Sequence, residues 1–195
     1  MKPTMTLILD SSTPTLFLGL LREGVVLGHL VETLDRKHAE WMLPRILGFI
    51  NKFNLKLSDI TDVIVGHGPG SFTGVRLALT LIKTWALIQP LRVFPISTMQ
   101  LFAYEPDVIM SLDARGERRY VGVYQGTQML MSPRVVTDKD FPSLQLQFPT
   151  FTSITIEAAL HQPILVLQHI KALASVLKPL LDIQTLNPLY LKELL

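Results

Sequence analysis

The chain has 195 residues, room for one domain or two small lobes with a hydrophobic core. It is 48% hydrophobic and 17% charged with a net charge of +2, so bulk charge gives no case for nucleic acid, and surplus apolar surface calls for a protein partner. It has no cysteine, which excludes disulfides, thiolate catalysis and zinc–cysteine sites.

Three short strands with tight turns are expected first, over Thr4–Asp10, Thr15–Leu21 and Val25–Thr33, with Arg22-Glu23-Gly24 as a hairpin turn. They read as an antiparallel meander. Asp10 interrupts the first apolar stretch, so no signal peptide is expected there. A helix follows over Asp35–Phe53, with Asp35 as N-cap and a kink at Pro44. At about 100° per residue, Ala39, Met42, Leu43, Ile46, Leu47, Ile50 and Phe53 form its core stripe. Trp41, Pro44 and Gly48 lie opposite, with Arg45 and Lys52 at the edges. A tryptophan beside a glycine notch implies close approach by another element.

Leu55–Asp59 reads as a loop and Ile60–Gly66 as a central strand. A second helix is expected over Thr73–Gln89. Val75, Ala78, Leu79, Ile82, Trp85 and Ala86 form one apolar stripe, and Leu77, Leu81 and Ile88, with Thr80 and Thr84, another. Arg76 and Lys83 are its only charges. A helix apolar all round needs cover on both sides. The longest apolar run, Leu77–Leu91, contains Lys83 and ends near Pro90, too short to span a membrane, so a soluble cytoplasmic protein is expected. A strand over Arg92–Ile96 and a short helix over Ser97–Tyr104 precede a boundary near Tyr104-Glu105-Pro106. A second meander is expected over Asp107–Leu112, Arg119–Tyr124 and Met129–Thr137, hinting at a duplicated fold. Beyond Asp138 only a strand over Ile164–Leu167, a helix over Gln168–Leu181 and an extended tail, Asn187–Lys192, can be read.

Between the central strand and the second helix lies Gly66-His67-Gly68-Pro69-Gly70-Ser71-Phe72-Thr73-Gly74-Val75-Arg76. Four glycines and a proline in nine residues make either an anion cradle before a helix or a purely structural turn. It is no nucleoside-triphosphatase phosphate loop, because Val75-Arg76 stands where Lys and Ser or Thr are needed. It is no dinucleotide fingerprint either, since the unit before it is antiparallel. Asp10, with Ser11, Ser12 and Thr13, ends one strand. Asp113 repeats the placement in the second meander. The pair would either hold a metal-bound phosphate or cap turns. The five histidines show no metal-pair spacing, and Ser71 lacks the nucleophile-elbow context. Arg115, Arg118 and Arg119 surround Glu117 and read as a solvated turn.

Asp10-Ser11-Ser12-Thr13, Arg36-Lys37-His38-Ala39-Glu40 with Leu43-Pro44, the glycine loop through Arg76, and Asp113-Ala114-Arg115 with Tyr120-Val121 resemble the TsaB (YeaZ) family. The likeness runs from residue 4 to about 124, and Pro188-Leu189-Tyr190-Leu191-Lys192 adds to it. The resemblance implies an α/β, actin-like ATPase (ribonuclease-H-like) fold. Its two lobes would be residues 1–104, carrying the dimerisation helices, and a shortened 105–195. It implies a non-catalytic subunit of the machinery that places threonylcarbamoyl on the adenosine beside the anticodon of tRNAs. Partners would be the catalytic TsaD subunit and the TsaE ATPase, with a homodimer when isolated and tRNA met through the complex.

The dimer face implied is His38, Trp41, Met42, Arg45, Gly48, Phe72, Thr73, Leu77, Leu81, Thr84 and Ile88. Asp10, Ser11, Ser12, Gly68, Gly70 and Asp113 are candidates for a residual nucleotide site, filled only within the complex; no other cofactor and no metal is expected. The catalytic relative carries an H-x-x-x-H metal pair where this chain reads Ser97-Thr98-Met99-Gln100-Leu101. The alternative reading is a self-sufficient actin-like ATPase or kinase.

Overall fold

The computed structural model describes residues 2–35 and 37–191. Short apolar runs separated by tight turns make β1 (Met5–Asp10), β2 (Thr15–Arg22) and β3 (Val25–Thr33) an antiparallel meander, as expected. The helix α1 (His38–Asn51) then leads to β4 (Asp62–Gly66), whose five residues are all buried. Helix α2 (Phe72–Ile88) follows, then β5 (Arg92–Ile96). β1, β4 and β5 run parallel, giving a five-stranded sheet of order β3-β2-β1-β4-β5.

After the short α3 (Thr98–Leu101), β6 (Asp107–Asp113), β7 (Arg118–Gln125) and β8 (Gln128–Thr137) form the second meander. Helix α4 (Phe141–Gln147) precedes β9 (Thr152–Thr155), which pairs parallel with β6. The second sheet has the order β8-β7-β6-β9. It repeats the first sheet's order and strand directions but stops one strand short, so the duplication hinted at by the second meander is plain in the topology. Helices α5 (Ile156–Leu160) and α6 (Pro163–Ala174) complete the fold.

Three apolar clusters tie the layers together. One lies between the first sheet and α1 and α2, centred on Leu7, Leu18, Ile46, Val63 and Ile82. The second joins the first sheet's other face (Ile8, Phe17, Ile64) to Met110 and Tyr124 of the second sheet and to Val166, Leu167 and Ile170 of α6. The third, smaller, packs α4 on the second sheet's far face through Val121, Val123, Phe141 and Leu144.

Several expectations are corrected. Asp35 is not an N-cap: it sits in a turn at φ +43°, and α1 starts three residues later behind Lys37 with no side-chain cap. Arg36 lies outside the described residues. The buried face of α1 is His38, Met42, Ile46, Phe49 and Ile50. Ala39, Leu43 and Leu47 are exposed, because the apolar arc of the helix is wider than the sheet can cover. Gln89 caps α2 rather than belonging to it. Ile164–Leu167 is not a strand but the first turns of α6. Pro163 at the helix start suits N1, and Val166, Leu167, Ile170 and Leu173 make one helical stripe. That helix ends at Ala174, and Leu181 is fully exposed. Among the described residues no helix is long and apolar enough to cross a membrane.

Candidate functional site

The glycine loop is clasped to the β1–β2 turn by backbone contacts. Ser71 N–H donates to the Ser12 carbonyl at 2.6 Å, and Ser11 Oγ donates to the Gly74 carbonyl at 2.9 Å. A Cβ on Gly70 would lie 2.3 Å from the Ser12 oxygen, and one on Gly74 2.0 Å from the Ser11 oxygen. These two glycines are therefore required for backbone to meet backbone. Ser71 caps α2, its Oγ accepting from Gly74 N–H at 3.2 Å.

Asp10 is buried within this clasp. Its Oδ1 accepts from Ser12 N–H at 3.0 Å and Ser12 Oγ at 2.6 Å, and its Oδ2 accepts from Thr98 Oγ1 at 2.8 Å. Burial raises its pKa above the ordinary carboxylate range, and the Ser12 and Thr98 hydrogen bonds oppose the rise. A raised folded-state pKa means that the stabilising contribution is fully present below the unfolded pKa and is lost as pH rises through the folded value. Asp10→Asn keeps acceptors for Ser12 and has no charge to desolvate. Its melting temperature relative to wild type is therefore expected to rise with pH across that window and then level off. A difference that stays flat with pH in thermal melts would count against this account.

A cleft of about 690 Å³ opens between the two sheets' ends. It is lined by Ser12, Thr13, His38, the stretch Gly70–Gly74, Asp113, Arg115, Tyr120 and Glu157, among others. Of the candidate nucleotide residues, Ser12, Gly70 and Asp113 reach it, whereas Asp10, Ser11 and Gly68 do not line it. Asp113 is exposed and accepts from Arg115 N–H at 2.7 Å. The His38 ring is buried, which lowers its pKa and favours the neutral form; a contact with the Thr13 backbone works the other way. Among the described residues its Nε2 has no hydrogen-bond partner. Among the described residues no group of three or more His, Asp or Glu side chains is placed to hold a metal ion.

The other candidate surface is the outer side of α1 and α2, which pack against each other. Trp41, Gly48, Phe72, Thr73, Thr84 and Ile88 are exposed on it. Arg45 is half-buried, paired with Glu32 at 2.8 Å and lying 4.9 Å above the Trp41 ring. Leu77 and Leu81 are half-buried against the chain's own core. His38 and Met42, expected on the dimer face, point inward instead, because they occupy the sheet-facing stripe of α1. Leu87, absent from the expected face, is 75% exposed beside Ile88 at 79%. Apart from its own stretch of helix, no atom of the described residues lies within 4 Å of a Cβ built on Gly48, so the notch is open.

The sequence predicts that the tail is extended but not where it docks. After α6 the chain returns to the first sheet and runs along it. Leu180 N–H donates to the Val93 carbonyl at 2.8 Å, and Lys83 Nζ donates to the Gln184 carbonyl at 3.2 Å. Leu186 enters the core, and Leu189 N–H donates to the His67 carbonyl at 2.7 Å. Tyr190 stacks on Phe72 with ring centroids 5.6 Å apart. The extended tail is thus a strap over the glycine loop; Lys192 lies outside the described residues. A Pro-Leu-Tyr pattern after a weakly patterned stretch carries no periodic signal, so only its likeness to a family could have marked it.

The family model for TsaD, described as tRNA N6-adenosine threonylcarbamoyltransferase, matches residues 26–150. The tRNA threonylcarbamoyladenosine biosynthesis protein TsaB of Bacillus subtilis (strain 168) is 30% identical over 139 residues, covering 69% of this chain and 60% of its own length. The protein of the same name from Escherichia coli (strain K12) is 29% identical over 150 residues, covering 68% of this chain and 64% of its own. The chain thus spans under two thirds of the length of these curated relatives. A solved structure of an uncharacterized protein from Pseudomonas aeruginosa, with similarity to peptidase YEAZ, superposes with a TM-score of 0.76 at 22% identity. That alignment covers 97% of this chain and 100% of the other.

Proposed function

Because the chain belongs to the TsaB (YeaZ) family and has its actin-like α/β fold, we propose that it serves in tRNA threonylcarbamoyladenosine biosynthesis as a non-catalytic scaffold. In this reading it acts in the cytoplasm by heterodimerising with the catalytic TsaD subunit. TsaE joins the pair, tRNA is met through the complex, and the isolated chain pairs with itself.

The observation that carries the reading is the apolar outer face of α1 and α2. Trp41, Leu43, Leu47, Phe72, Leu87 and Ile88 are all exposed there. Several large apolar side chains exposed on one side of a domain mark a protein contact, and their burial is worth roughly 25 cal/mol per Å². The missing H-x-x-x-H pair supports a non-catalytic role.

The test is reconstitution. A mixture of TsaD and TsaE, given ATP and an activated threonylcarbamoyl donor, is expected to modify tRNA only when this chain is added, with a defined TsaD stoichiometry by light scattering. Equal modification without it would overturn the proposal. The second reading, a self-sufficient ATPase or kinase, has the interlobe cleft in its favour. Against it, Asp10 spends its acceptors on Ser12 and Thr98. Calorimetry of the isolated chain with ATP separates the two.

A further inference from the structure

We propose that Arg76 is a preorganised receptor for a carboxylate side chain of the protein partner, and that the C-terminal strap holds it in that state. The inference rests on the partner-binding reading above and names the chemistry of one contact within it.

Arg76 stands exposed on the first turns of α2. Its guanidinium carbon lies 3.7 Å from the Phe72 ring centroid and 5.6 Å from that of Tyr190. Its Nε donates to the Tyr190 hydroxyl at 2.5 Å. Tyr190 in turn is fixed by the strap, through Leu189 on His67 and the buried Leu186. Two rings and one hydrogen bond therefore orient the guanidinium plane. Much of the side-chain entropy that an arginine loses on binding is already lost here.

Among the described residues the arrangement has no counter-charge. Glu32, Asp62 and Asp138 pair with Arg45, Arg92 and Arg119, but among the described residues no Asp or Glu pairs with Arg76. A free guanidinium fork presents parallel N–H donors that match a carboxylate bidentately. Phe72 and Tyr190 against it are both aromatic and exposed, the setting in which arginine and tyrosine act as interface hot spots. A nucleic-acid backbone fits less well, because phosphate tracking needs several cations in a row. The other charge on α2, Lys83, is engaged by the Gln184 carbonyl.

The test measures binding of the TsaD subunit from the same organism by calorimetry, at about 50 mM and about 500 mM salt, where screening differs several-fold. Wild type is expected to bind and to weaken with salt. Arg76→Gln is expected to bind roughly tenfold or more weakly and to lose most of the salt response, with Arg76→Lys between them. Tyr190→Phe keeps the ring and removes the hydroxyl, and is expected to weaken binding a few-fold. It serves as the independent variant should Arg76→Gln melt early. If wild type binds and neither Arg76→Gln nor Tyr190→Phe changes affinity or salt response, this inference fails while the scaffold reading stands. If wild type does not bind TsaD, both fail. If Arg76→Gln spares TsaD binding but reduces retention of tRNA by the complex, the ligand is a phosphate and the proposal is overturned.

Discussion

Replacing Leu87 and Ile88 together by Asp is expected to leave a folded monomer that no longer binds the TsaD subunit. Both side chains are at least three-quarters exposed, so the chain's own stability should move by no more than about 1 kcal/mol. In an interface each would be buried, contributing about 1.5–3 kcal/mol, and an aspartate there would have to be desolvated as well. Together these amount to an affinity loss of about a thousandfold or more. Leu81 is a poorer choice for this test. It is half-buried against the core, so its loss would confuse unfolding with lost binding. Light scattering and calorimetry check the result. Unchanged self-association and unchanged TsaD binding would remove α2's outer face from the interface.

Gly74→Ala is expected to destabilise the chain although it places alanine in a helix. Helix propensity favours the change by about 1 kcal/mol. Against this, the new Cβ would lie 2.0 Å from the Ser11 carbonyl oxygen, a clash with backbone rather than with a yielding side-chain tip. The turn cannot easily retreat, because Ser11 Oγ and Ser71 N–H pin it from both sides. Overpacking of this kind costs up to about 3 kcal/mol or more, so the net loss is about 2 kcal/mol. A domain of this size should then melt roughly 4–8 °C lower. Gly48→Ala is the control, since its Cβ meets nothing and only the propensity gain remains. A Gly74→Ala protein that melts as high as wild type would mean that the clasp yields freely.

The first five strands and two long helices are legible in the sequence because their signals are local. Val25–Thr33 is a short, largely β-forming run bounded by turn residues, and Ile82 and Trp85 fall on a regular stripe. The second half is less legible for a physical reason. Short apolar runs such as Ile164–Leu167 fit a strand as well as a buried helix turn, and α4 and β9 are too short for a period to show. The candidate surface was half legible. Trp41 and Gly48 could be placed outside from helical phase alone. Phase placed Met42 in the core, where it lies, but it placed Leu43 and Leu47 there too, and both are exposed because phase does not say where a sheet's cover ends.

The glycine loop divides the two kinds of information most clearly. The sequence by itself determined that a sharp turn stands between β4 and α2, since few other residues tolerate such backbone, and that α2 is apolar all round. It left open whether the glycines face an anion or the chain. Only the tertiary structure decided that two of them make room for the Ser11 and Ser12 carbonyls, because that contact joins residues some sixty positions apart. The same holds for the strap. Nothing local in Asn187–Leu191 shows that it returns to His67, Phe72 and Arg76; long-range packing of Leu186 and Tyr190 brings it there.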